Sequence, residues 1–166
     1  RDLIETPRLD IFLTHAHLDH CVGLTFLFDV LEGHDIRQVR VFGEQEKLDA
    51  IRQHLFTELL FPAKPPLDYC PLKTEHRLAD GARLTHFPLQ HPGMSVGYRI
   101  DWPDRSLAYV TDTVAAADAA YVGKTRGVDL LIHECYFADD SPEQAALTGH
   151  SCLTPVAQGA KAADVG

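Results

Sequence analysis

Between an apolar, strand-like run (Leu9-Asp10-Ile11-Phe12-Leu13) and a helix-like run (Cys21-Val22-Gly23-Leu24-Thr25-Phe26-Leu27-Phe28) the chain carries Thr14-His15-Ala16-His17-Leu18-Asp19-His20. Four metal-competent side chains fall within six residues, in the order His-x-His-x-Asp-His. Imidazole and carboxylate together suit zinc, iron or manganese, and a tight turn between strand and helix can aim several of them at one point. Histidine and aspartate are also common turn residues, but three histidines and an aspartate at this spacing exceed what a turn needs. Any fold for this chain has to place that turn where the four side chains converge.

The remaining sequence is ordinary for a globular protein. With 166 residues, 45% apolar and 23% charged, it has the length for one domain with a sizeable core. No apolar run approaches a membrane span, and the first residues lack the charged-then-apolar pattern of a signal peptide. Fifteen Lys and Arg against 24 Asp and Glu give a formal charge of −9, which disfavours a broad nucleic-acid footprint. Bound divalent metals would offset part of that charge locally and leave room for an anionic substrate. Cys21, Cys70, Cys135 and Cys152 are too scattered for a structural zinc site and too few for a disulfide scaffold. They read as free buried thiols in a reducing compartment, and the cytoplasm is the expected location.

Taken in order, residues 1–7 read as an exposed lead-in and 9–15 as a strand ending on the first motif histidine. Asp19 opens a helix expected to reach Leu31 or Glu32, with Gly33 after it. Residues 38–42 alternate as a strand, and 44–56 carry Leu48, Ile51 and Leu55 at helical spacing. Pro62, Pro65 and Pro66 interrupt regular structure, and 67–72 form a short edge strand. The polar stretch 74–81 reads as a turn, and 83–91 as a strand with Thr85, Phe87, Leu89 and His91 on one face. Residues 95–102 and 106–112 form a hairpin over Pro103-Asp104-Arg105. A short helix is expected over 115–121, and a strand covered on both faces over 128–133. Further helices are expected over 141–147 and from Ser151 or Thr154 to Ala163, with Pro155 in the first turn of the latter. Strands with interspersed helices argue for an α/β or α+β sandwich.

Beyond the first motif, His91, Asp112 and His133-Glu134 each end a strand-like run, as His15 does. In layered folds sites form beyond the carboxyl ends of strands, so these residues could share one rim. On local grounds His91 could instead be a core histidine and Asp112 a turn or cap residue. His133 and Glu134, ending a buried strand, would be costly without partners. His150, in Thr148-Gly149-His150-Ser151, precedes a helix whose backbone N–H groups favour an anion. His34, His54, His76 and His86 read as surface or packing residues, and Cys21 as turned towards packing.

Together, His15-x-His17-x-Asp19-His20, His91 and Asp112 resemble the metallo-β-lactamase superfamily. Asp129-Leu130-Leu131-Ile132-His133-Glu134-Cys135 and Gly149-His150-Ser151 resemble the segments of its ribonuclease Z-like branch. The resemblance spans residues 9–166 and implies an α+β, four-layer αββα sandwich, 1–166 being a single such domain. It also implies two divalent metal ions, zinc foremost, with manganese or iron as alternatives. His15, His17 and His91 would hold one metal, Asp19 and His20 the other, and Asp112 would bridge them. Asp19 would also orient the attacking hydroxide, His150 would contact phosphate or assist the leaving group, and Glu134 would support His150.

Departures from the family pattern shape the functional expectation. The family's opening hairpin is mostly absent and its last histidine ligand would lie beyond Gly166, so the chain is expected to be a fragment. Only residues 92–111 separate His91 from Asp112, leaving no room for the branch's tRNA-gripping arm; tRNA is therefore not the expected partner. Cys135 also departs from the pattern after Glu134. The expected function is a phosphodiesterase acting on a small-molecule or short nucleotide phosphodiester. Thioester or lactone hydrolysis on the same fold is the alternative, and a non-catalytic metal-binding module a third reading. An apolar edge at Leu59, Leu60 and Phe61 is a candidate surface for a homodimer, and no membrane association is expected.

Overall fold

The structure is a computed structural model and describes residues 7–166. The expected lead-in, apart from Pro7, lies outside the described residues. The chain divides into two compact units, Arg1–Leu72 and Lys73–Gly166.

The first unit is built on a parallel sheet in the order β1 (Arg8–Phe12), β2 (Gln38–Gly43), β3 (Leu67–Pro71). Central β2 buries Val39 and Val41, and its neighbours contribute Leu9, Ile11, Leu67 and Tyr69 to the same core. Across the β1–β2 register Asp10 faces Arg40, and the carboxylate accepts two guanidinium hydrogen bonds of 2.7 Å. Phe12 stacks on Phe42 with centroids 4.5 Å apart. As expected, β3 is an edge strand.

The helix expected from Asp19 to Leu31 is instead three pieces: α1 (Leu18–Cys21), a 3-10 turn (Val22–Phe26) and α2 (Leu27–Leu31). The Thr25 hydroxyl donates to the Val22 carbonyl at 2.7 Å, a local bond that competes with regular helix. Cys21 is buried in the core, as its phase suggested. The helix expected over 44–56 is α3 (Gln45–Ala50) followed by a wider π turn (Ile51–Leu55), closed by Phe56 N–H on the Ile51 carbonyl. Leu59 and Leu60 are exposed, whereas Phe56 is buried and meets Phe61 edge-on at 5.1 Å.

The second unit is a mixed sheet in the order β4 (Glu75–Arg77), β5 (Arg83–Leu89), β6 (Ser95–Asp101), β7 (Ser106–Val110), β8 (Leu130–His133). The expected turn over 74–81 therefore contains a strand: β4 pairs with Arg83–Thr85, and Glu75 lies 3.8 Å from Arg83. The β6–β7 hairpin is present, closed by Trp102 N–H on the Arg105 carbonyl. Gly97 sits opposite Phe87 in the register, and a Cβ there would fall 2.4 Å from the Phe87 ring. The glycine thus gives the ring its place in the core of Phe87, Leu89, Val110, Tyr121 and Val122.

Two further expectations fail in this unit. β8 is the edge strand rather than one covered on both faces, with Leu130 52% and Ile132 44% exposed. An apolar run signals a strand but not its place in the sheet. No helix spans 115–121: Val114 N–H bonds the Gln90 carbonyl, Ala115 N–H bonds the Ser151 hydroxyl, and only a 3-10 turn (Ala120–Gly123) follows. These tertiary bonds fix the start of the segment, and Ala119 N–H then closes a turn on the Ala116 carbonyl, so no continuous helix forms despite the alanine-rich propensity. Helices α4 (Pro142–Thr148) and α5 (Leu153–Ala162) stand where expected.

Candidate functional site

In the first unit the backbone leaves β1 at Phe12, and Leu13 N–H makes one further bond to the Phe42 carbonyl. Thr14, His15, Ala16 and His17 then cross to α1, whose start carries Asp19 and whose last residues are His20 and Cys21. His15 is buried, with the Thr14 hydroxyl 3.1 Å from its Nδ1. The rings of His17 and His20 lie 4.6 and 4.2 Å from that of His15. Asp19 Oδ2 is 3.3 Å from His20 Nε2. The turn brings together all four residues that the motif singled out. Three imidazoles so close repel one another when protonated, whereas as neutral donors they fit a divalent cation.

In the second unit strand direction explains the convergence. β5 and β7 are both antiparallel to β6, and β8 runs parallel to β7, so the carboxyl ends of β5, β7 and β8 share one end of the sheet. His91 follows β5, Asp112 follows β7, and Glu134 follows β8. His91 and Asp112 are both buried, with His91 Nε2 3.6 Å from Asp112 Oδ2. His91 Nδ1 lies 2.9 Å from the Gly149 carbonyl oxygen. A carbonyl only accepts, so Nδ1 carries a proton and Nε2 is the nitrogen turned to the Asp112 side, the orientation a metal-ligating histidine needs.

Asp112 takes a left-handed backbone, φ 51°, sparsely populated by residues other than glycine. Its surroundings hold it there. Ser95 hydroxyl donates to the Asp112 carbonyl at 2.8 Å, and Thr111 hydroxyl to its carboxylate at 2.9 Å. Ser151 donates to the Thr113 carbonyl at 2.6 Å and accepts from Ala115 N–H. Ser151 was legible only as a neighbour of His150. Ser95, Thr111 and Thr113, all buried polar residues, had no signal in the sequence beyond lying near the aspartate or near His91.

Glu134 accepts from Thr113 N–H at 3.2 Å on one oxygen and from Tyr136 N–H at 3.1 Å on the other. His150 Nδ1 lies 3.6 Å from that carboxylate, and its ring stacks on Tyr136 at 4.8 Å and meets His91 edge-on at 5.2 Å. Behind Glu134, the His133 Nδ1–H donates to the Glu134 carbonyl at 2.6 Å and the Tyr121 hydroxyl donates to its Nε2 at 2.9 Å. Burial holds His133 below the usual histidine range. Burial, then the charge of Glu134, pushes Tyr121 up to about 12, so it stays a donor.

The helix start after His150 does not stand ready for an external anion. Asp139 takes Thr154 N–H at 2.8 Å and the Thr154 hydroxyl at 2.6 Å, and these bonds hold its carboxyl below the usual carboxylate range. Among the cysteines, Cys21 and Cys152 are buried but Cys135 is exposed, and all four are free thiols. No described helix is long and apolar enough to cross a membrane.

The first unit thus carries a strand-turn-helix histidine cluster, and the second a group of histidine and carboxylate at strand ends, residue types that suit a divalent cation. The chain belongs to the beta-lactamase superfamily domain family, whose model matches residues 2–165. Within it the chain falls in the ribonuclease Z-like branch. It is 29% identical to a Ribonuclease Z from Trichodesmium erythraeum (strain IMS101), covering 93% of this chain and 64% of that protein. The chain thus spans less than two thirds of that relative's length. The structure is similar to human tRNase Z, short form, with a TM-score of 0.72, 23% identity, and coverage of 94% of this chain and 69% of that one. It is also similar to a diphosphatase from the PhnP family, with a TM-score of 0.69, 24% identity, and coverage of 96% and 58%. These likenesses show the metallo-β-lactamase fold, the α+β class expected. Residues 92–111 are occupied by β6, β7 and their connections, without an inserted arm.

Proposed function

We propose that residues 1–166 act as one metallo-β-lactamase-like domain, a metal-dependent phosphodiesterase for a small-molecule or short nucleotide phosphodiester. The observation that carries this is the Glu134–His150 pair beside the metal-competent His91 and Asp112. In this reading, which follows the family resemblance, His15, His17 and His91 would hold one divalent cation, Asp19 and His20 a second, and Asp112 would serve both. Zinc suits this donor set best, and manganese or iron are accommodated by the same ligands. When bound, such a pair supplies a hydroxide near neutral pH and charge to stabilise the phosphoryl oxygens.

The chain's own residues do the rest. Gly149 fixes the His91 ring, Asp19 orients the attacking oxygen, and the Glu134 carboxylate, 3.6 Å from His150 Nδ1, favours the charged form of that ring. His150 then delivers a proton from Nε2 to the leaving oxygen, the general-acid role that an imidazole beside a carboxylate can take. tRNA is not proposed as substrate, since no arm follows His91. The four free thiols favour a reducing compartment such as the cytoplasm. Exposed Leu59 and Leu60 leave the homodimer reading open to a sedimentation measurement.

The test is hydrolysis of a chromogenic phosphodiester by metal-reconstituted protein beside Asp112→Ala, with metal content measured for both. Turnover and metal lost together in the variant support the reading. An Asp112→Ala protein with full activity and metal would overturn the site assignment. A wild-type protein with two metals and no turnover would shift the assignment to thioester or lactone hydrolysis.

A further inference from the structure

His150 has a nitrogen that no hydrogen bond restrains. Its Nδ1 is buried and makes no hydrogen bond among the described residues. The Glu134 carboxylate is the charged group beside it, but at 3.6 Å the two stand beyond hydrogen-bond distance. A carboxylate at that range attracts the ring without fixing its rotation. The torsion that turns an imidazole about its Cβ–Cγ bond has a broad, roughly two-fold profile, so the ring plane needs another restraint.

Neighbouring rings supply it. Tyr136 lies against His150 with centroids 4.8 Å apart and planes 26° apart, the stacked contact of the imidazole. His91 meets it edge-on at 66°, and Phe137 is tilted by 58° at 6.4 Å. Stacked and edge-to-face rings at such distances are the favoured aromatic geometries. The backbone that carries Tyr136 is pinned without help from its side chain. Its N–H is shared by Glu134 Oε2 at 3.1 Å and the Ser151 carbonyl at 3.2 Å, and Phe137 N–H meets the same carbonyl at 3.1 Å. Tyr136 itself is 72% exposed, and its hydroxyl makes no hydrogen bond among the described residues. Neither core packing nor a polar bond accounts for where its ring sits; apart from the adjoining Phe137 ring at 5.0 Å, the face of His150 does.

We infer that Tyr136 is a positioning residue: its ring sets the plane of the His150 imidazole, and Glu134 selects which of the two flips within that plane turns Nδ1 to the carboxylate. The inference rests on the proposed phosphodiesterase role of His150 and adds the residue that orients it. With plane and flip both fixed, Nε2 is the nitrogen left to meet the leaving oxygen. Without the stack the imidazole samples other planes, and only the molecules in the productive one transfer the proton. The loss then falls on kcat, because the substrate's own contacts are untouched.

The test assays the metal-reconstituted full chain on bis(p-nitrophenyl) phosphate as wild type, Tyr136→Leu and Tyr136→Phe. Leucine keeps apolar bulk without a ring face, and phenylalanine keeps the face without the hydroxyl. Tyr136→Leu is expected to lower kcat about tenfold with KM within about twofold, in line with what an aromatic pair contributes. Tyr136→Phe is expected to restore most of that kcat. Zinc affinity, read by chelator competition, should be equal in all three; a loss in Tyr136→Leu would mean that the ring acts through the metal site and overturn the inference. Unchanged kcat in Tyr136→Leu, a raised KM in place of the kcat loss, or a Tyr136→Phe as impaired as Tyr136→Leu would each overturn it too. The His150 Hδ2 resonance of the zinc-loaded chain, assigned through its loss in His150→Gln, reads the stack without turnover. A proton over an aromatic face is shielded, so the resonance should move downfield in Tyr136→Leu and stay in place in Tyr136→Phe. An unmoved resonance in Tyr136→Leu rejects the stack. A wild type that hydrolyses no phosphodiester would sink the phosphodiesterase reading, and this resonance by itself then decides whether Tyr136 orients the ring.

Discussion

His91 Nδ1 and the carbonyl oxygen of Gly149 lie 2.9 Å apart although the residues are 58 positions apart in the chain. Gly149 holds this place because its φ of 77° is left-handed, ending α4, and because a Cβ there would fall 2.3 Å from Pro92 and 2.9 Å from the imidazole. Gly149→Ala therefore displaces the ring that it positions. Zinc affinity, read by competition with a chromogenic chelator, should drop by about 10–100-fold, the usual effect of disturbing the partner of a metal ligand. An affinity equal to wild type would remove His91 from the metal site.

Glu134 receives one backbone N–H on each oxygen. In Glu134→Gln one of those donors faces an amide N–H₂, so stability should fall by about 1–2 kcal/mol. The hold on His150 should weaken as well, lowering kcat by about 100-fold with KM little changed. His150→Ala should lower kcat at least as far. If Glu134→Gln changes only the unfolding midpoint, the carboxylate is structural and does not serve His150.

Asp10 and Arg40 form a partly buried bidentate pair in the first unit. The Arg40 hydrogen bonds hold the Asp10 carboxyl below its ordinary value of 3.8. A depressed carboxylate contributes stability that is complete above its unfolded pKa and disappears as pH falls through the folded one. Asp10→Asn should thus cost about 1–2 kcal/mol at neutral pH, a difference that shrinks in strong acid. Urea midpoints at a series of pH values give the answer; a difference constant down to the lowest pH would mean the pair contributes packing alone.

His133 is a base kept neutral by burial, so its folded pKa is depressed below 6.5. Its contribution is complete above that unfolded value and is lost as pH falls, because the unfolded chain then binds the extra proton. Wild-type stability should decline on acidification from neutrality, and His133→Gln should flatten the decline. Tyr121→Phe, which removes the donor to Nε2, should cost about 1–2 kcal/mol near neutral pH. Parallel pH slopes for wild type and His133→Gln would show that His133 takes up its proton alike in the folded and unfolded chain, and would overturn the depression by burial.

By itself the sequence determined the first cluster. His15, His17, Asp19 and His20 fall on one turn, so short-range geometry suffices to aim them, and the turn is local. Strand runs such as 38–42 and 83–89 were equally legible, since alternation of apolar and polar residues records one buried face. Tertiary structure decided what depends on distant partners. Within Thr74–Gly81, Glu75–Arg77 became β4 because Arg83–Thr85 offered it a ladder, and residues 115–121 did not form a helix where Ser151 and Gln90 bind the N–H groups of Ala115 and Val114. The edge position of β8 likewise depends on the sheet, because an apolar run does not encode whether a strand is central or at an edge. The meeting of His91, Asp112, Glu134 and His150 required β5, β7 and β8 to run the same way, a property of sheet pairing invisible to any single segment. Contacts between residues close in sequence are written in the local pattern. Those that close long loops exist only once the sheet has formed, because only then do the apolar gains repay the lost chain entropy.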